Sequence, residues 1–128
     1  MAARTPAISD AEWEVMNVLW ERSPQTAGEL SDVLCGRMNW SANTLKTLLS
    51  RLVKKGVLKT QPQGNRYLYF PLFPRSRYVR QESASFVDRV FGGGEAPMIL
   101  HFVRRARLSK DEIEELRRIL DEKSEEQS

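Results

Sequence analysis

WSANTLKTLLSRLVKKG, residues 40–56, places Leu45, Leu48, Leu49, Leu52 and Val53 at i, i+3, i+4, i+7 and i+8, one continuous apolar stripe along a helix. That stripe belongs to a core. The other positions, Thr44, Lys46, Thr47, Ser50, Arg51 and Lys54, are hydrogen-bond formers or cations with no acid among them. Ser41 ahead of the run supplies an N-cap, and Gly56 behind it fits the left-handed residue that commonly ends a helix. The sequence therefore builds a capped helix with a second, cationic face that must meet something.

Upstream, SDAEWEVMNVLWE (residues 9–21) opens with Ser9 and Glu12 in capping-box spacing. Ala11, Val15, Val18 and Leu19 form its stripe, widened by Trp13, Met16 and Trp20 as core anchors, and Ser23-Pro24 ends it. QTAGELSDVLCGR (residues 25–37) repeats the device with Thr26, Glu29 and the apolar Leu30, Val33 and Leu34. Downstream of Gly56 the period changes to two. Val57 to Gln61 can extend, PQGN turns, and Arg66, Tyr67, Leu68, Tyr69 and Phe70 alternate as a strand. Pro62 at the tip and Pro71 at the end mark a short, edge-like ribbon. Three helices followed by a hairpin is the order of a winged helix, a helix-turn-helix variant. The expected fold is mainly α with a small β-hairpin wing, its DNA-binding domain spanning residues 1–74.

The charges are unevenly placed. Net charge is +3, yet no acid occurs between Asp32 and Glu82, an interval that holds Arg37, Lys46, Arg51, Lys54, Lys55, Lys59, Arg66, Arg75, Arg77 and Arg80. A polyanion would meet one surface of such a molecule, because the flanking segments carry the acids. On the recognition helix Asn43, Thr44, Lys46 and Thr47 lie near the N-terminal end, where asparagine can pair with adenine, lysine can donate to guanine and threonine offers hydroxyl and methyl contacts. Ser50, Arg51, Lys54 and Lys55 lie farther along and suit phosphates, while Arg66 with Tyr67 beside the hairpin turn suits a minor groove or the backbone of double-stranded DNA. A winged helix can also serve as a protein-interaction module, its basic face turned to an acidic partner.

Other classes find little support. Cys35 is the single cysteine and His101 the single histidine, so no internal disulfide forms and a protein metal cage lacks ligands. No glycine-rich phosphate loop is present, nor a nucleophile matched with a base and an orienting acid, so neither enzyme activity nor a cofactor is expected. Cys35 closes an apolar helical face and suits a half-buried structural thiol. No run approaches the roughly 18 apolar residues of a membrane span, and the start MAARTPAISD has no signal-peptide core, so the expected location is the cytoplasm without membrane insertion.

The remaining residues form a helical region, 75–123, followed by a disordered tail, 124–128. Val79, Phe86 and Val90 recur at near-heptad intervals, widened by Tyr78 and Val87, until Gly92, Gly93 and Gly94 break the helix. A second helix follows with Pro97 in its first turn and Ile99, Phe102 and Val103 on one face. A third starts at a Ser109/Glu112 capping box and carries Ile113, Leu116, Ile119 and Leu120. So small a helical unit rarely hides its apolar surface alone, so burial against a second copy is the expectation, with folding back onto the first domain as the alternative.

ISDAEWEVMNVLW, TLKTLLSRLVKKGVL, RYLYFPL and SFVDRVFGG, in this order over nearly the whole chain, resemble the penicillinase-repressor (BlaI/MecI-type) family of winged-helix transcriptional repressors. The resemblance implies a homodimer on a palindromic operator that blocks transcription of resistance genes. It places Thr44, Lys46, Thr47, Ser50 and Arg51 on the recognition helix and Arg66 and Tyr67 in the wing. It also implies release by cleavage within the dimerisation region, downstream of a membrane-spanning sensor with a zinc peptidase domain. The corresponding bond here is His101-Phe102, where well-known members have Asn-Phe. Copper-responsive relatives carry a cysteine-rich motif near the C-terminus that this chain lacks.

Overall fold

The computed structural model describes residues 5–127, and the chain divides into two compact units between Ser83 and Ala84. In the first unit, helix α1 (Asp10–Glu21) is followed by a two-residue strand β1 (Gln25–Thr26), α2 (Ala27–Met38) and α3 (Ala42–Lys55). A hairpin then forms from β2 (Leu58–Gln63) and β3 (Arg66–Pro71), and α4 (Arg75–Phe91) leaves it. The strands make one antiparallel sheet in the order β1-β3-β2, with Gln25 opposite Tyr69 and Gln63 opposite Arg66.

Local chemistry sets the boundaries of these helices. Both expected capping boxes of the first unit form: Ser9 with Glu12 starts α1, and Thr26 with Glu29 starts α2. Between α2 and α3 the chain turns at Asn39, whose φ of 57° is the left-handed conformation that asparagine tolerates. Ser41 then caps α3 by accepting the Thr44 amide at 3.1 Å. At the far end Gly56 has φ 82°, and its amide reaches the Leu52 and Val53 carbonyls.

The core lies where α1, α2 and α3 meet. Val15, Met16, Leu19, Leu30, Leu34, Leu45, Leu49 and Leu52 are buried there with Val57 and Leu58, each side chain worth about 2 kcal/mol in water-excluded area. Val33 and Val53, assigned to the apolar stripes by their spacing, are instead exposed. They lie at the margins of stripes that the more central leucines already fill.

Three features differ from expectation. First, β1 is a third strand; its two residues are too short to show a period. Second, Pro62 is paired with Tyr67 inside β2, and the turn is the two-residue loop Gly64-Asn65, with Gly64 at φ 63°. Strand β2 is an edge of the sheet, where a residue without an amide is tolerated. Third, the first unit ends at residue 83 and not at 74. Tyr78, assigned by spacing to a dimerisation stripe, is fully buried in this unit, beside the rings of Trp13, Trp20 and Phe73, and its hydroxyl donates to the Pro6 carbonyl at 2.9 Å.

The second unit holds the C-terminal half of α4, then α5 (Glu95–Arg105) and α6 (Lys110–Glu126). Gly92 and Gly93, at φ 63° and 88°, end α4 as the glycine run required. Ser109 and Glu112 form the third capping box, at the start of α6. This helix continues through residues 124–126, which were expected to be disordered; Ser124, Glu125 and Glu126 extend an already nucleated helix. Ser128 of that expected tail, like residues 1–4 of the expected first domain, lies outside the described residues.

Candidate nucleic-acid interface

Packing of the α3 leucines leaves its opposite side in solvent. Asn43, Thr44, Lys46, Thr47, Ser50, Arg51 and Lys54 are all exposed, and no acid occurs on the helix. Thr44 is partly committed to the cap, its hydroxyl lying 3.0 Å from that of Ser41. Lys46, Thr47, Ser50, Arg51 and Lys54 line one shallow depression, so cations and hydroxyls form a continuous surface.

The hairpin stands beside that surface. Lys46, Ser50 and Lys54 of α3 face Thr60 of β2 and Tyr67 and Tyr69 of β3 across a groove of about 530 Å³. A neighbouring trough of about 690 Å³ joins Lys46 to Arg66 and Tyr67 of the wing and runs to the start of α2. The structure thus brings the expected wing residues and Lys46 onto one concave surface. Arg66 sits at the first pair after the turn, opposite Gln63, with Tyr67 56% exposed behind it.

Tyr69 was not singled out from the sequence, although its i, i+2 relation to Tyr67 puts both on one face of the strand. Burial, then the neighbouring Tyr67, pushes its phenol above the usual range, so it stays neutral and able to donate. Glu29 and Asp32 also line the trough, at its α2 side. They are acids that the acid-free interval, read along the chain, does not reveal.

Lys55 has a partner within the first unit. Expected among the phosphate ligands, its ammonium lies 2.6 Å from Glu12 Oε1 and 3.1 Å from the Ala7 carbonyl. The reason is a buried carboxylate: Glu12 is 1% exposed and needs a cation. Burial raises its pKa, but the Lys55 hydrogen bond, the Ser9 amide and hydroxyl and the Lys55 charge together hold it below the usual range. Lys59, another cation of the interval, lies over the Phe70 ring at 5.4 Å.

The residues assigned to dimerisation divide between the units. Val79 is exposed in the first. In the second, Phe86, Phe91 and Phe102 gather with ring centroids 5.9–6.4 Å apart. Val90, Ile99, Phe102, Val103, Ile113 and Leu120 remain exposed, and Leu116 is half-buried. No residue of α5 or α6 is buried. His101 and Phe102 lie within α5, their rings 5.3 Å apart, so the bond between them is helical.

Chemistry of other kinds is not assembled. Among the described residues no group of three or more metal-binding side chains forms, and no helix is long and apolar enough to cross a membrane. Within α2, Cys35 accepts the Ser31 hydroxyl at 3.3 Å.

Residues 8–122 match the family described as Penicillinase repressor. The chain is 37% identical to the methicillin resistance regulatory protein MecI of Mammaliicoccus sciuri, over 96% of this chain and 100% of the relative. It is 40% identical to the penicillinase repressor of Bacillus licheniformis, over 93% of each. Among solved structures, that of Bacillus licheniformis BlaI, in monomeric form and in complex with the blaP half-operator, is similar with a TM-score of 0.53 at 40% identity, covering 59% of this chain and 92% of that one. A winged-helix unit with a cationic, solvent-facing third helix, matched along nearly its whole sequence by these repressors, places the chain in the penicillinase repressor family.

Proposed function

We propose that this chain is a dimeric, sequence-specific transcriptional repressor of antibiotic-resistance genes, which lays α3 in the major groove of a palindromic operator. It is a repressor and not an enzyme. The observation that carries this function is the acid-free outer face of α3, exposed from Asn43 to Lys54 and set against the wing across a cationic groove. That face belongs to a family whose members are named for methicillin and penicillinase regulation, one of them in complex with a half-operator.

Within the operator, Asn43, Thr44, Lys46 and Thr47 read base edges, and Ser50, Arg51 and Lys54 hold phosphates. Arg66 and Tyr67 extend the contact from the wing. A second copy covers the exposed apolar side chains of α5 and α6 and doubles the phosphate contacts, so two modest half-site affinities combine. Release takes the route that the family resemblance implies. A membrane-spanning sensor peptidase cuts at His101-Phe102, and because that bond is helical, α5 must open locally before it is cut. Action on operator DNA calls for a cytoplasmic location.

The test is a double substitution, Lys46→Ala with Thr47→Ala, in the full-length protein. Binding is measured to a duplex enriched from a random pool and to its scrambled counterpart. Loss of the preference for the enriched duplex, with fold and self-association retained, supports the assignment. An unchanged preference contradicts it. Weak binding indifferent to sequence in the parent protein would instead point to a protein-interaction module.

A further inference from the structure

The Lys55–Glu12 pair bears on the proposed DNA recognition, and its role rests on that function. Lys55 is the last residue of α3, and Glu12 sits in the first turn of α1. Glu12 Oε1 accepts both the Lys55 ammonium and the Ser9 amide, at 2.6 and 2.7 Å, while Oε2 is buried without a partner. Lys55 also donates to the Ala7 carbonyl, so its ammonium is held by two acceptors, one in α1 and one in the segment that leads into it.

Leu45, Leu48, Leu49 and Leu52 seat α3 through apolar contacts in the core. Apolar packing fixes depth well but is non-directional, and cores accommodate small shifts. A charge-assisted hydrogen bond to a buried carboxylate is directional and short. Placed at one end of the helix, it resists both roll and slide along the axis.

We infer that Lys55 and Glu12 are positioning residues for sequence recognition: their ion pair pins the C-terminal end of α3 to α1 and so fixes the roll with which Lys46 and Thr47 meet the base edges. Base readout depends on placement to within about 0.5 Å, whereas a phosphate contact tolerates more. Breaking the pair therefore costs discrimination between sequences and leaves nonspecific attraction in place. Glu12, buried beneath the surface, cannot touch DNA itself. An effect of Glu12 on sequence preference thus has to pass through α3.

Glu12→Gln, Lys55→Met and the double variant separate this role from a phosphate contact. Glu12→Gln keeps the acceptor for the Ser9 amide, and the double variant leaves no uncompensated buried charge if a single one fails to fold. The full-length proteins are titrated with the duplex enriched from a random pool and with its scrambled counterpart, over a range of salt concentrations. Amide hydrogen exchange across α3 is recorded without DNA.

The expected result is a drop on the order of tenfold in the affinity ratio for each variant, with the double variant no worse than the singles. The salt slope stays unchanged, and exchange at Leu52–Gly56 accelerates. If Lys55→Met weakens both duplexes equally, lowers the slope by about one and leaves exchange unaltered while Glu12→Gln is silent, Lys55 is a phosphate ligand and the inference is overturned. A parent protein without sequence preference would instead count against the proposed function. In that case the exchange measurement alone decides whether the pair anchors α3.

Discussion

The indole N–H of Trp20, near the end of α1, donates to the main-chain carbonyl of Phe73 at 3.0 Å. This bond joins α1 to the segment that connects the wing with α4. Trp20 also lies 5.5 Å from Trp13 and 5.7 Å from Tyr78, so the donor is fixed by its ring neighbours. Trp20→Phe keeps an aromatic ring and removes the donor. It should destabilise the first unit by about 1–3 kcal/mol, since the Phe73 carbonyl loses its partner and the smaller ring leaves space. Urea unfolding monitored by circular dichroism measures this directly.

Gly56 ends α3 with φ 82°, and an added Cβ would meet no atom within 4 Å. Any penalty for Gly56→Ala is therefore conformational and not steric crowding by neighbours. A loss of about 1–2 kcal/mol is expected from the left-handed backbone alone. Gly36→Ala, within α2 and likewise free of neighbours at the added Cβ, should instead stabilise by up to about 1 kcal/mol. Thermal melts of the two variants should move in opposite directions.

The capping carboxylates make stability depend on acid. Glu29 is held below the usual glutamate range first by the Thr26 amide, Glu112 first by the Ser109 amide, and Glu12 by Lys55 and Ser9 against the opposing effect of burial. Each folded-state pKa lies below the ordinary value of 4.5. Their contribution is therefore complete above that value and is lost as pH falls through the folded-state pKa values. Melting temperature should be level near neutrality and fall below pH 4.5. Glu12→Gln, which no longer titrates, should make that fall less steep.

Leu120 is 59% exposed and Ile119 is 40% exposed on α6. If a second copy covers them, Leu120→Glu puts a charge into an apolar contact. Sedimentation should show the dimer dissociation constant rising by at least about tenfold. Binding to a single half-site should be unaffected, because α3 is untouched. An unchanged dimer would mean that the self-association surface lies elsewhere.

The sequence reveals elements whose pattern repeats within them. Spacing at i, i+3 and i+4 locates α1, α2 and α3, and the Ser/Thr–Glu pairs mark the starts of α1, α2 and α6. The alternation from Arg66 to Phe70 locates the second strand of the wing. Features that depend on distant partners are not visible in the same way. Lys55 reads as one more cation until Glu12, 43 residues away, is seen to hold it. Tyr78 reads as widening the stripe of Val79, Phe86 and Val90, and only the three rings packed around it assign it to the first unit. β1, with two residues, has no period at all. Of the candidate interface, residue types and helix face were legible; the groove that joins α3 to Tyr67 and Tyr69 required the sheet pairing.

Selection of binding sites from a randomised duplex pool with the purified full-length protein, at about 150 mM salt so that nonspecific phosphate attraction is weakened, tests the central claim most directly. Enrichment of a two-fold-symmetric motif, its half-sites about one helical turn apart, is the predicted result for a dimer that reads DNA with α3. Failure of a folded protein to enrich any motif would contradict it.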